Sequence, residues 1–168
     1  AWLFVTWRLA DSLPAEKLRK WAEEKETWLR RHQKPWDTKT EAEFHQLFTA
    51  RIEDWLDAGE GYCVLRIPAI RDIIKDALRH FDGERYDLGD FVIMPNHVHV
   101  LFSPRESHAI ADILHSWKSF TAKKINKALN KNGTFWQEDY WDRIIRNERH
   151  FEACRRYIRE NPSKAGLR

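Results

Sequence analysis

The sequence predicts an α+β fold in which helices pack on a small antiparallel sheet. One segment near the N-terminus alternates apolar and polar residues with a period of two, and two apolar runs follow in mid-chain. These runs are separated only by Pro95 and Asn96. That break is too short for a crossover, so the two strands are expected to pair antiparallel. The 168 residues are expected to form one domain, 1–168, with its own core.

The N-terminal third predicts one strand and two helices. Alternating apolar side chains make Trp2–Leu9 a strand. Asp11 or Ser12 is placed to cap a charged helix over residues 15–32. A second helix is expected over residues 40–58, because its apolar residues recur at helical spacing and share one face.

The helices within residues 14–58 are interpreted as an inserted pair. The helix that should return the chain to the sheet begins only at Pro68, a favoured first residue of a helix. Its apolar residues recur every third or fourth position. The two paired strands are then expected at Tyr86–Met94 and His97–Ser103.

The C-terminal third predicts two further helices. A long helix is expected over residues 108–131, and residues 134–146 are expected to be irregular or partly extended. The last helix should run from about Glu148 to Glu160. Asn161 and Pro162 should stop it, because a residue before proline is disfavoured in the helical conformation.

Positive charge is concentrated in the C-terminal part of the chain. Residues 105–168 hold 14 Lys and Arg against 8 Asp and Glu, a net charge of +6, within a chain whose net charge is only +3. This region is a candidate surface for a polyanion, with ordinary solvated helix faces as the alternative. Trp117, Trp136 and Trp141 lie among these charges, and aromatic rings between basic residues suit stacking on unpaired bases.

Composition also indicates where the protein works. No apolar run approaches the roughly 20 residues of a membrane span, so no membrane partner is expected. The N-terminus shows no secretory pattern. Cys63 and Cys154 are far apart and form no CxxC pair, which is typical of a reduced, cytoplasmic protein.

Four residues form a candidate metal and catalytic site. His97 and His99 are two apart on a strand, so their imidazoles share one face and can hold a divalent metal. Two polar residues facing solvent are the alternative. Tyr157 and Asn161 are four apart on the last helix and share a helical face, with a packing tyrosine and a helix cap as the alternatives. Such mixed nitrogen and oxygen donors suit Mg²⁺ or Mn²⁺ better than a structural zinc site.

Two of these motifs resemble those of a known family. The stretch from Met94 to His99 resembles the HUH motif (His, hydrophobic, His) of single-tyrosine transposases, and the segment that starts at Tyr157 resembles their nucleophile helix. More closely, the chain resembles the REP-associated tyrosine transposases, a domesticated bacterial branch named after repetitive extragenic palindromes. Further stretches that match this branch lie at residues 4–14, 80–86, 116–120 and 135–143.

The resemblance implies an HUH palm, a ferredoxin-like or RRM-like sheet, and an enzyme that nicks and rejoins single-stranded DNA at hairpins. It implies His97 and His99 as metal ligands, Asn161 in the third-ligand position and Tyr157 as the nucleophile. Attack by the tyrosine would form a 5′-phosphotyrosine and release a 3′-OH. The implied cofactor is Mg²⁺ or Mn²⁺, with no small-molecule cofactor. The branch resembles monomers, although a dimer stays possible.

The partner implied is single-stranded or hairpin DNA, contacted at its phosphates by the basic residues of the C-terminal region. The candidates are Lys118, Lys123, Lys127, Lys131, Arg143, Arg146, Arg149, Arg155 and Arg156. Two other functions stay open. One is a catalytically silent protein that binds hairpin DNA, and the other is a metal-dependent nuclease that uses water. The sequence alone forces no proton acceptor for Tyr157; His115, Lys118 and a metal-bound hydroxide are the candidates.

Overall fold

The computed structural model describes residues 1–59 and 61–164. Along these described residues run four strands and six α-helices: β1 (Leu3–Arg8), α1 (Ala15–Arg31), α2 (Thr38–Phe44), α3 (Ala50–Asp57), α4 (Pro68–His80), β2 (Tyr86–Ile93), β3 (His97–Pro104), α5 (Ile110–Leu129), β4 (Trp141–Ile144) and α6 (Glu148–Lys164). A π turn at His45–Thr49 joins α2 to α3, and a 3-10 turn at Val64–Arg66 precedes α4.

The strands form one antiparallel sheet in the order β2-β3-β1-β4, which confirms the predicted α+β class. β3 lies between β2 and β1. In the pairing of β1 with β3, Thr6 lies opposite His99 and Arg8 lies opposite His97. Residues directly opposite one another in an antiparallel pair point to the same face. The histidines therefore share a face with these two residues of β1.

Helices α4 and α5 cover the opposite face of the sheet. Their buried residues pack on Val5, Trp7, Val98 and other apolar side chains of β1 and β3 in the largest core cluster. Trp117 and Trp136 are 3% and 5% exposed within this cluster. The prediction that these two rings stack on bases is therefore wrong, because both are buried in the core.

Helix α6 and the helices before α4 lie on the face that carries the histidines. Cys154 and Ile158 of α6 pack on Phe4 and Leu101 of the sheet. Helices α1 to α3 form a cluster of their own, with the following buried members: Leu13, Trp21, Phe48, Ile52 and Leu56. The inserted segment therefore has its own small core, and it meets the sheet on the histidine side.

Two predicted helix ends differ from the structure. The residue that caps α1 is Pro14, without a side-chain hydrogen bond. The side chain of Asp11 instead accepts the backbone N–H of Tyr62. Helix α6 continues through Pro162 to Lys164, so the predicted stop at Asn161 is wrong. A proline this near the end removes few helical hydrogen bonds.

No helix in the described part of the chain is long and apolar enough to cross a membrane. Both cysteines are buried and form no disulfide.

Candidate active site

His97 and His99 lie side by side in the interior. Both are 0% exposed, and their Nε2 atoms are 3.1 Å apart. The alternative of two polar residues facing solvent is therefore wrong. Strand alternation brings the rings to one face, and the cover supplied by α3 and α6 buries them.

The neighbours of the two rings orient them. The side-chain oxygen of Asn96 lies 2.7 Å from Nδ1 of His97. This oxygen only accepts, so Nδ1–H of His97 donates to it. The Thr6 hydroxyl lies 2.7 Å from Nδ1 of His99 and can accept in the same way. With Thr6 accepting, both Nε2 atoms are unprotonated, the state in which histidines bind a metal. With Thr6 donating, Nε2–H of His99 donates to Nε2 of His97, 3.1 Å away.

Burial keeps both imidazoles neutral. It lowers the pKa of His97 well below its ordinary value, and the neighbouring His99 lowers it further. It lowers the pKa of His99 to about 3. A metal binds neutral imidazole, so the pair is in the protonation state for binding at neutral pH.

Tyr157 lies against this pair. Its ring centroid is 5.3 Å from that of His99 and 5.9 Å from that of Phe4. Burial, then the negative charges of Glu53 and Asp57, raise the pKa of its hydroxyl, and an interaction with Asn161 lowers it. The hydroxyl therefore holds its proton tightly unless a neighbouring group accepts it.

Asn161 lies one helical turn after Tyr157 and is 0% exposed. Since α6 continues beyond it, Asn161 is not the helix cap considered from the sequence. Both polar atoms of its side-chain amide are shielded from water and meet no well-aligned hydrogen-bond partner among the described residues. Its amide interacts with the Tyr157 hydroxyl, and a bound ligand would satisfy the rest of its hydrogen-bonding capacity.

The site also contains two carboxylates that the sequence did not predict as site residues. Both belong to α3 of the inserted segment. Burial raises the pKa of Glu53 to about 7, and its carboxyl interacts with the Tyr157 hydroxyl. Asp57 Oδ1 lies 3.6 Å from Nε2 of His97. Their spacing of four residues, beside the buried stripe of Ile52 and Leu56, was the signal that could have found them.

The spacing of the two histidine nitrogens is compatible with a divalent metal. Two atoms bound at about 2.1 Å to neighbouring positions of an octahedral ion lie about 3 Å apart, close to the 3.1 Å between the two Nε2 atoms. Among the described residues, no three His, Cys, Asp or Glu side chains are already grouped around one metal position. The pair with Asn161 is a mixed set of nitrogen and amide donors.

The predicted DNA contacts separate into two groups. Helix α5 packs on the face opposite the histidines, so its lysines at 118, 123, 127 and 131 lie on that side of the sheet. Lys118 donates to the backbone carbonyls of residues 137–139. The five arginines belong to β4, α6 and the connection between them, on the side of Tyr157.

Two of those arginines form ion pairs with acidic side chains, and a third lies near one. Arg146 pairs with Glu41 and Arg155 pairs with Asp90 at 3.2 Å. The charge of Arg143 acts on Glu53, whose pKa it lowers. Arg149 and Arg156 are exposed.

Comparison with known proteins gives the class to which this sheet, with its buried histidine pair and the tyrosine helix against it, belongs. The sequence model described as transposase IS200 like matches residues 66–161. Because this match covers more than half of the chain, the chain belongs to the IS200-like transposase family. Membership supports an enzyme that cleaves and transfers DNA.

Two solved structures resemble the chain. A REP-associated tyrosine transposase bound to a REP hairpin has 18% sequence identity and a TM-score of 0.52, over 99% of this chain and 69% of that one. A protein from Deinococcus radiodurans described as a transposase has 17% identity and a TM-score of 0.43, over 96% and 90%. The first likeness supports the fold. No curated protein matches the sequence.

Proposed function

We propose that the protein nicks and rejoins single-stranded DNA at hairpins of the repetitive extragenic palindrome type. In this proposal Tyr157 is the nucleophile, and His97, His99 and Asn161 hold a divalent metal, Mg²⁺ or Mn²⁺. Family membership supports DNA cleavage and transfer in general. The residues at the site support the finer assignment.

The observation that carries the proposal is the contact between the rings of Tyr157 and His99, 5.3 Å apart. These residues are far apart in sequence and on different elements. Because the contact forms within one chain, no exchange of α6 between two copies is needed. This favours a monomer in which the tyrosine acts beside its own histidines.

The chemistry requires that the Tyr157 hydroxyl lose its proton. We assign Glu53 as the acceptor, because its carboxyl interacts with that hydroxyl and burial raises its pKa to about 7. A carboxylate with a pKa near the working pH is well matched to proton transfer. His115 and Lys118, the side chains considered as acceptors from the sequence, belong to α5 on the other face of the sheet and line a cleft there with residues 133–138.

Attack by the tyrosine oxygen forms a bond to phosphorus while the bond from phosphorus to the 3′ oxygen breaks. The released 3′ oxygen takes a proton, and the 5′ phosphate stays on Tyr157. Since one phosphodiester replaces another, a second 3′-OH can reverse the step and rejoin DNA. When bound, the metal supplies positive charge that stabilises the negative charge developing on the phosphate.

The DNA class comes from the related structure, which is described as bound to a REP hairpin. The exposed Arg149 and Arg156 lie on the tyrosine side of the sheet and are the candidates for contacts to the phosphates beside the nicked bond. The lysines of α5 would need DNA that reaches around to the other face.

A covalent-adduct assay tests the function. A single-stranded hairpin oligonucleotide labelled at its 3′ end is incubated with the protein and Mn²⁺, then run on a denaturing gel. The label should migrate with the protein, because the tyrosine keeps the 5′ phosphate of the 3′ fragment. Tyr157→Phe should abolish this band, a loss of at least about 1000-fold.

Tyr62→Phe is the matched control, because Tyr62 is 85% exposed, and it should keep the band. Cleavage that persists in Tyr157→Phe would indicate a nuclease that uses water. Hairpin binding without cleavage by the unmodified protein would indicate the silent DNA-binding alternative. Either result contradicts the proposed mechanism.

A further inference from the structure

The candidate site is closed to solvent. His97, His99 and Asn161 are all 0% exposed. Tyr157 is half-buried as a residue, but its hydroxyl oxygen is shielded from water. Attack on a phosphodiester requires contact between this oxygen and phosphorus. A DNA strand cannot reach the oxygen in this conformation, so part of the protein must move to admit the substrate.

Two parts of the chain cover the histidine face, and they are held in different ways. Helix α6 packs on Phe4 and Leu101 of the sheet, and it carries Tyr157, so its departure would take the nucleophile away from the histidines. The inserted segment, α1 to α3, buries its apolar side chains in a core of its own. Of the partly buried side chains packed on that core, Trp141 comes from the sheet. The inserted segment is therefore the cover that can move as a unit.

The two ends of the inserted segment lie side by side. The carboxylate of Asp11, before α1, accepts the backbone N–H of Tyr62, after α3, at 3.1 Å. Gly59 and Gly61 follow α3 with φ values of 73° and 90°, which glycine adopts without strain. A segment whose two ends meet at one point, next to glycines, can rotate about that point as a hinged unit.

An ion pair fastens the inserted segment to the connection that leads into α6. The Arg146 guanidinium donates from Nε and Nη2 to the two carboxylate oxygens of Glu41. Glu41 belongs to α2, whereas Arg146 lies between β4 and α6. The fork of an arginine binds a phosphate in the same bidentate way as a carboxylate. Glu41 therefore occupies a guanidinium that can bind a phosphate of a DNA strand.

We propose that the inserted segment is a lid over the site and that the ion pair between Glu41 and Arg146 is its latch. A phosphate of single-stranded DNA displaces Glu41 from Arg146, the lid opens, and the strand reaches Tyr157. The lid then closes on the strand, because Glu53 reaches the Tyr157 hydroxyl from α3 in the closed position. This inference rests on the proposed nicking function, which requires that DNA enter the site.

The exposure of the latch suits a device that must open. The side chains of Glu41 and Arg146 are 28% and 64% exposed, so incoming DNA can reach the guanidinium before the lid moves. Ion pairs this accessible to water hold two elements together weakly. Removing the latch should therefore change the affinity for DNA a few-fold, not by orders of magnitude.

Hairpin binding tests the latch without chemistry. A fluorescent hairpin oligonucleotide is titrated with the whole chain carrying Tyr157→Phe, without metal, and anisotropy gives the dissociation constant. Glu41→Gln releases Arg146, so the dissociation constant should fall by about 3- to 5-fold. Glu43→Gln is the matched control, because it removes the same charge from an exposed position of α2, and it should change the constant little. Arg146→Gln also breaks the latch but removes the phosphate ligand, so it should weaken binding.

Spin labels measure the opening directly. One label replaces Glu26 in α1 and the other replaces Asp72 in α4, both at exposed positions, with the two buried native cysteines changed to alanine. The distance between the labels reports how far the lid lies from the rest of the protein. Excess hairpin should add a longer distance, and Glu41→Gln should increase the share of molecules that show it.

The outcomes separate this inference from the proposed function. Equal hairpin affinities for folded Glu41→Gln and Glu43→Gln overturn the latch, and a label distance that saturating hairpin leaves unchanged overturns the lid. A protein that opens on the hairpin but forms no adduct through Tyr157 contradicts the nicking mechanism and leaves the lid intact. An unmodified protein that does not bind the hairpin overturns both. Thermal melting of each variant confirms that it is folded.

Discussion

The two faces of the sheet are buried alike but differ in chemistry. Beneath α4 and α5, β1 and β3 present apolar side chains such as Val5 and Trp7. Beneath α3 and α6, the same strands present Thr6, His97 and His99. None of these five residues is more than 4% exposed, so burial does not distinguish the faces.

The difference shows how the molecule separates stability from chemistry. Apolar burial contributes about 25 cal/mol per Å², whereas buried polar groups contribute little net stability even when hydrogen-bonded. We expect the face beneath α4 and α5 to provide most of the free energy of folding. The face beneath α3 and α6 retains polar groups that folding alone does not require, and these groups form the candidate site.

The largest expected effect is a truncation on the apolar face. Phe102 is 0% exposed and packs on Tyr86 and Trp117. Phe102→Ala should lower the free energy of unfolding by about 3 to 5 kcal/mol, because it removes buried apolar surface and leaves a cavity. Urea denaturation of the metal-free protein measures this. Phe120→Ala is the control, since Phe120 is 51% exposed, and it should cost far less.

Much of this comparison was predictable from the sequence. A period of two in β1 and β3 assigns each residue to a face, and that is sufficient to place His97 and His99 together. The spacing of Tyr157 and Asn161 places them on one side of α6. These assignments depend on local geometry, which a single sequence carries.

The contribution of α3 was not predictable in the same way. Glu53 and Asp57 look like solvated charges on an amphipathic helix, and only the docking of α3 against the sheet brings them to Tyr157 and His97. The sequence also predicted one regular helix over residues 40–58, whereas the structure has a π turn at His45–Thr49 within that segment. Tertiary placement decides which charges on a helix surface come into contact with the site.

The second prediction concerns Glu53 and the pH dependence of stability. Its folded pKa of about 7 lies above the ordinary 4.5, chiefly because of burial, with Asp57 and Asp54 raising it and Arg143 and Tyr157 lowering it. The fold therefore favours the protonated carboxyl. This contribution is fully present below about pH 4.5 and is lost as the pH rises through 7.

Glu53→Gln should remove this dependence. In the metal-free protein, the difference in unfolding free energy between the variant and the unmodified protein should grow by up to about 3 kcal/mol in favour of the variant from pH 4.5 to pH 8. Urea denaturation at both pH values measures it. Glu43→Gln, at an exposed position of α2, should show no such change. A constant difference for Glu53→Gln would mean that this carboxyl is solvated.

The smallest expected effect uses two neighbouring residues of β1 on opposite faces. Val and Thr have nearly the same shape, so Val5→Thr and Thr6→Val differ mainly in a hydroxyl. Val5→Thr buries a hydroxyl among apolar side chains and should cost about 1 to 3 kcal/mol. Thr6→Val removes the hydroxyl that bonds to His99 at 2.7 Å and should cost only about 1 kcal/mol.

The same pair of variants should show the opposite order in metal binding. Without the Thr6 hydroxyl, Nδ1 of His99 lacks the neighbour that orients the ring, so Thr6→Val should weaken Mn²⁺ binding by about 10-fold. Val5→Thr, whose side chain points to the other face, should bind Mn²⁺ normally if it folds. Equal Mn²⁺ affinities for the two folded variants would mean that Thr6 only fills space. The hydrogen bond between Thr6 and His99 would then contribute nothing to Mn²⁺ binding on the polar face.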